Sequence, residues 1–140
     1  MALELGTVIA SRELVLADGG RVTVQIGAPF PPPDYEGEYW CPYKISGLVS
    51  VRLRRVVGID AIQALMLALQ AIGTDLYSSE EYRAGRLSWF ENDRSATLGF
   101  PVLEGFDDLL PDEQGEPKLG WPKAGDRSSD LSEEDGKHSP

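Results

Sequence analysis

Residues 60–76 read Asp60-Ala-Ile-Gln-Ala-Leu-Met-Leu-Ala-Leu-Gln-Ala-Ile-Gly-Thr-Asp-Leu76, and this stretch decides the fold. Asp60 can offer a side-chain oxygen to the free N–H groups that open a helix, and Gln63 completes a capping-box pattern. Ile62, Leu65, Leu69, Ile72 and Leu76 recur at helical spacing and predict one apolar stripe facing a core. Ala61, Ala64, Ala68 and Ala71 favour helix and permit close approach to a sheet. Gly73 costs about 1 kcal/mol relative to Ala inside a helix, so it marks either the C-terminal turn or a tight packing contact.

Upstream of this helix the periodicity changes to two. Thr7–Ala17 is rich in β-branched and aliphatic residues and reads as a strand. Asp18-Gly19-Gly20 follows, with dipeptides that accept the positive φ of tight hairpin turns. Arg21–Ile26 alternates, with Val22, Val24 and Ile26 on one face, so a first β-hairpin is expected. Gly27–Gly37 holds Pro29, Pro31, Pro32 and Pro33, which cannot donate to a ladder, and reads as a stiff loop with polyproline II character. Tyr39–Ser46 is a third strand with Cys41, Tyr43 and Ile45 facing one way. Its Pro42 points to an edge position or a bulge. After a turn at Gly47-Leu48, Val49–Val57 is a fourth strand in which Val49, Val51 and Leu53 alternate with Ser50, Arg52 and Arg54.

Downstream, Ser79–Arg83 is polar and either extends the helix or forms a loop. Leu87–Phe90 and Ala96–Phe100 are two short strand candidates around a turn at Glu91–Arg94. The order ββββ-α-ββ predicts an α+β domain: an antiparallel β-sheet packed against one principal α-helix.

Charge divides the chain unevenly. Of its 140 residues 41% are hydrophobic and 26% charged, an ordinary globular balance, yet the net charge is −10. Residues 1–103 carry 12 acidic and 9 basic side chains, net −3, whereas residues 104–140 carry 11 and 4, net −7. The expectation is a body over 1–103 followed by an acidic, Pro-containing tail over 104–140, too polar to offset its own ordering entropy. Within that tail Phe106, Leu109, Leu110, Leu119 and Trp121 are apolar. They read as a strap folded back on the body or as a short partner-binding motif. The acidity disfavours general nucleic-acid binding and anionic membrane surfaces, which both select Lys and Arg. The longest apolar run, Ala64–Leu69, is far below the ~18–20 residues of a membrane span. Met1–Gly6 lacks the basic start of a secretory signal, and a single cysteine suits a reducing compartment, so a cytoplasmic protein is expected.

Residues suited to catalysis are sparse. The one histidine, His138, lies beside the C-terminus, where a base could not be held at hydrogen-bond distance from its target. Ser-His-Asp and Cys-His schemes therefore find no members, and one Cys with one distant His cannot make a zinc site. No Gly-rich phosphate loop precedes a helix. Cys41 reads as a small buried apolar residue, with a reactive redox thiol as the other reading. Asp34, Glu36 and Glu38 lack the spacing of a metal loop and read as solvated loop acids. No catalytic residue, cofactor or metal ligand is expected.

Four short motifs are shared with a known family: Ile9–Arg12, Trp40–Ile45, Gly58–Leu65 and Leu98–Pro101. Over about positions 8–101 the chain resembles a family of small bacterial proteins known only as a domain of unknown function. The resemblance implies an actinobacterial or proteobacterial cytosolic domain, brings no catalytic residues, and excludes the tail after Pro101.

The expected function is a non-enzymatic protein-binding domain. Tyr35, Tyr39, Trp40 and Tyr43 cluster beside the stiff loop and belong to the residue types enriched at binding hot spots. Arg52 and Arg54 share a strand face; they either pair with acids such as Glu13 or the tail, or meet an acidic partner. Trp121 completes the candidate partner-binding set. A more specific version is an immunity or antitoxin-like protein that blocks a basic toxin. The alternative from another class is a small-molecule-binding domain or minor enzyme with a pocket between helix and sheet.

Overall fold

The computed structural model describes residues 3–50 and 52–111. Four strands, β1 (Val8–Leu16), β2 (Arg21–Gly27), β3 (Tyr39–Ser46) and β4 (Arg52–Gly58), precede helix α1 (Ala61–Tyr77). A one-turn helix α2 (Glu80–Arg83), a two-residue strand β5 (Leu87–Ser88) and a 3-10 turn (Asp107–Leu109) follow. The strands form one antiparallel sheet in the order β4-β3-β2-β1-β5, giving the expected α+β architecture.

The β1–β2 hairpin turns at Asp18-Gly19-Gly20. Gly19 adopts φ +96, and the Gly20 N–H donates to Asp18 Oδ1 at 2.8 Å. Val22, Val24 and Ile26 on β2 and Cys41, Tyr43 and Ile45 on β3 are buried beneath α1, as their alternation predicts. Pro42 lies in a strand flanked by β2 and β4, so β3 is not an edge. The β2–β3 ladder runs only from Tyr43 to Ser46, however, and Pro42 pairs with Arg55 on the β4 side alone. The proline occupies the point where one neighbour has ended, which is where its missing N–H is tolerated.

The structure sets the faces of β4 and α1. On β4, Tyr43 pairs with Arg54 and Cys41 with Val56, so Arg52, Arg54 and Val56 share the face toward the helix. Leu53 and Val57 face outward and stand 40% and 41% exposed. On α1, Ile72 and Leu76 of the expected stripe are fully buried together with Ala64 and Ala68, and Leu65 and Leu69 pack partly buried against the core. Ile62 departs from the stripe and is 70% exposed. Alanines rather than leucines make the close approach, because the helix axis lies near the backbone at the β4 end, where Gly58 meets Ala64.

Residues 96–103 do not form the second late strand. They run alongside α1 over the β1 side of the sheet as an irregular strap, secured by side chains where ladder partners are lacking. Tyr82 Oη donates to Ala96 O, the Leu98 N–H donates to Tyr77 Oη, and the Leu103 N–H donates to Thr74 Oγ1. Leu98, Phe100 and Val102 are buried, and Leu109 and Leu110 pack partly buried against the same core. Gly73 turns out to be interior to α1: a Cβ there would collide with the carbonyl oxygen of Pro101 in the strap. It is the tight-contact glycine, not a helix terminator.

Candidate functional site

The Pro-rich segment between β2 and β3 is a folded loop. Phe30 makes a two-way backbone bridge with Trp40, at 2.9 and 2.8 Å. The Glu38 N–H donates to Tyr35 O, and Asp34 and Gly37 take φ of 70 and 83 to turn the chain. Trp40 anchors the loop from beneath. Its buried indole meets Phe30 edge-on at 6.0 Å and Tyr35 at 5.2 Å. Its Nε1 donates to Glu38 Oε1 at 2.9 Å, and the Arg55 guanidinium stacks 4.0 Å from its ring.

This scaffold holds open a surface groove of about 530 Å³. Pro31, Tyr35, Tyr39 and Ile59 form its walls, and Asp34, Glu36 and Glu38 rim it. Tyr35 is 48% exposed and Ile59 74% exposed. Ile59 sits between the last residue of β4 and the N-cap Asp60, the position where an apolar side chain would ordinarily staple onto the first helical turn. Here it points into solvent instead.

The sequence candidates therefore separate. Tyr35 and Tyr39 line the groove, while Trp40 lies buried below it as support. Tyr43 is buried under α1, where its hydroxyl donates to Asp75 Oδ2 at 2.6 Å. Arg52 and Arg54 approach the other oxygen of Asp75 at 3.4 and 3.8 Å. Among the described residues their partner is thus a helix carboxylate, not Glu13; the tail beyond residue 111 lies outside the described residues. Trp121 lies outside the described residues. Sequence reasoning passed over Asp75 and Ile59, although each carried a signal. A carboxylate in the last turn of a helix opposes the helix dipole, so Asp75 implies cations nearby.

Burial governs the titrating groups of the core. It pushes the Cys41 thiol, whose Sγ lies 3.5 Å from Gly27 O, up from an ordinary 9.0 to about 11. It likewise raises the phenol of Tyr43, reinforced by the hydrogen bond to Asp75, and that of Tyr82. Among the described residues, no three His, Cys, Asp or Glu side chains gather as metal ligands. The space between helix and sheet, near Arg12, Leu69 and Phe100, amounts to about 100 Å³. Among the described residues no helix is long and apolar enough to cross a membrane.

Residues 10–102 match the sequence profile of the domain of unknown function DUF6968. The chain belongs to that family. The match runs from β1 through the strap, so the DUF6968 unit comprises the sheet, α1 and the segment that closes over it. No curated protein and no solved structure matches the chain.

Proposed function

We propose that this DUF6968 chain is a non-enzymatic, cytoplasmic protein-binding domain, and that the groove of the Pro-rich loop is its contact surface. The observation that carries the reading is the exposure of Tyr35 and Ile59 across a groove whose Tyr35 wall stacks on the buried Trp40. A tyrosine offers large contact area with few rotatable bonds, and a preformed loop reduces the ordering that binding requires. Carboxylates at the rim favour a partner that brings Lys or Arg, and they steer it at long range. The buried, protonated thiol of Cys41 suits a reducing cytoplasm.

A small-molecule site between helix and sheet finds little room, since the space near Arg12, Leu69 and Phe100 is about 100 Å³ against the ~300–1,000 Å³ of ligand pockets. The test is affinity capture from the native source, with the full chain and with a Tyr35→Ala/Ile59→Asp double variant. The wild type is expected to retain a stoichiometric partner that the variant, folded by circular dichroism, loses by about tenfold or more. Equal retention by both, or no stoichiometric partner, refutes the reading.

A further inference from the structure

The sheet has two edges, and they are built differently. β5 is only two residues long and pairs with Val15 and Leu16 alone, so on that side β1 itself forms most of the edge, interrupted by a bulge between Val8 and Ala10. β4 runs for seven residues, about 23 Å at 3.3 Å per residue, and pairs with β3 in unbroken register from Tyr39↔Gly58 to Ile45↔Arg52. It contains no proline and no bulge. Among the described residues nothing pairs with its other side, so alternate N–H and C=O groups face outward.

The side chains along this edge are positively charged and held in place. Arg52 and Arg54 share the single carboxylate of Asp75 on the helix side, which leaves a surplus of positive charge there. On the outer side Arg55 is fixed by stacking on Trp40, flanked by the exposed Leu53 and Val57. Arginines that only guard an edge need no fixed geometry. These three are positioned by Asp75 and Trp40 before any ligand arrives, and a planar guanidinium so held suits a carboxylate. A second copy of the chain fits poorly, since antiparallel pairing of β4 with itself would set three arginines against three.

We propose that β4 is a docking edge for an extended acidic segment of a partner protein. The segment adds to the sheet as a sixth strand, its main chain bonding to β4 and its carboxylates meeting Arg52 and Arg54. Alternation then fixes the pattern. Residues facing α1 are acidic, whereas those between them are apolar beside Leu53 and Val57, with an acidic one accommodated opposite Arg55. The edge is separate from the loop groove and needs neither Tyr35 nor Tyr39.

The test uses a capped, fluorescent peptide of alternating Glu and Val, as long as β4, titrated into the full chain at low salt and read by anisotropy. Saturable binding is expected, with slowed amide exchange at alternate β4 residues. A peptide with a central proline is expected to bind about tenfold or more weakly, as is the wild-type peptide to Arg54→Glu, and a Lys-Val peptide is expected not to bind. The peptide controls leave the protein unaltered, so a misfolded variant cannot obscure the result. Absence of saturable binding overturns the proposal. So does equal binding of the proline peptide, which would indicate charge attraction without strand addition. Outward β4 amides already protected without peptide also overturn it: concentration-independent protection identifies another segment of this chain as the occupant, and concentration-dependent protection identifies a second copy.

Discussion

Asp75 joins three side chains from two strands to the last turn of α1, and its own side chain is only 12% exposed. Asp75→Ala removes the acceptor of the Tyr43 hydroxyl and, among the described residues, the only anion paired with Arg52 and Arg54. The half-exposed arginines are partly screened by water, so the hydrogen bond to a charged group dominates. A loss of about 1–3 kcal/mol in urea unfolding is expected, with Asp75→Asn in between because its amide oxygen still accepts from Tyr43. A loss indistinguishable from zero would mean that the network only decorates the surface. Cys41 supplies a second residue-scale prediction. Its thiol titrates near 9.0 when unfolded and near 11 when folded, so the unfolded chain releases the proton first. Stability is therefore intact below pH 9 and falls as pH rises toward 11, a slope that Cys41→Ala flattens. Native Cys41 should resist alkylation at neutral pH and react freely in denaturant; fast native labelling would contradict its burial.

At the scale of elements, α1 begins with a variant of the capping box, in which Gln63 reaches back to the residue before the N-cap. The Gln63 N–H donates to Asp60 Oδ1 and the Ile59 N–H donates to Gln63 Oε1, both at 2.8 Å. Asp60→Ala is expected to lower stability by about 1 kcal/mol, read as a shift in the urea midpoint at unchanged slope. Gly73→Ala tests the opposite end. Helix propensity alone predicts a gain of about 1 kcal/mol. The collision with Pro101 predicts a net loss of about 1–3 kcal/mol, because the strap must shift to admit the methyl group. A stabilised variant would show that the strap yields freely. The cap, the helix and the first hairpin were legible because each depends on neighbours within a few residues. The apolar stripe was legible in Leu65, Leu69, Ile72 and Leu76, but not that Ile62 leaves it and alanines make the closest approach, since all satisfy the same 3.6-residue period. Which arc of a helix faces a sheet depends on where the closest backbone approach falls, and glycine at position 58 set that for Ala64.

Across the whole molecule, the strap is what completes the core, and Arg12 is the residue that holds it to the sheet. Its Nη1 donates to Leu98 O and Gly99 O at 3.1 Å, and its guanidinium stacks on Trp89 and Phe100 at 4.3 and 4.6 Å. Arg12→Ala is expected to free residues 96–103, seen as faster amide exchange of Leu98 and earlier chymotryptic cleavage at Phe100, while the β2–β3 amides stay protected. Uniform loss of protection would mean that strap and sheet unfold as one unit. The sequence by itself determined the antiparallel α+β architecture, the hairpin, the stiff loop and the helix cap, because side-chain period, proline and glycine act on backbone geometry locally. Only the tertiary structure decided that Arg52 and Arg54 face the helix and that 96–103 binds through side chains instead of a ladder. It also decided that Tyr35 and Ile59 stay exposed while Trp40 and Tyr43 are buried. Those outcomes rest on contacts between residues distant in the chain, where an aromatic or an arginine is equally suited to a core, a support or a surface until its neighbours are in place.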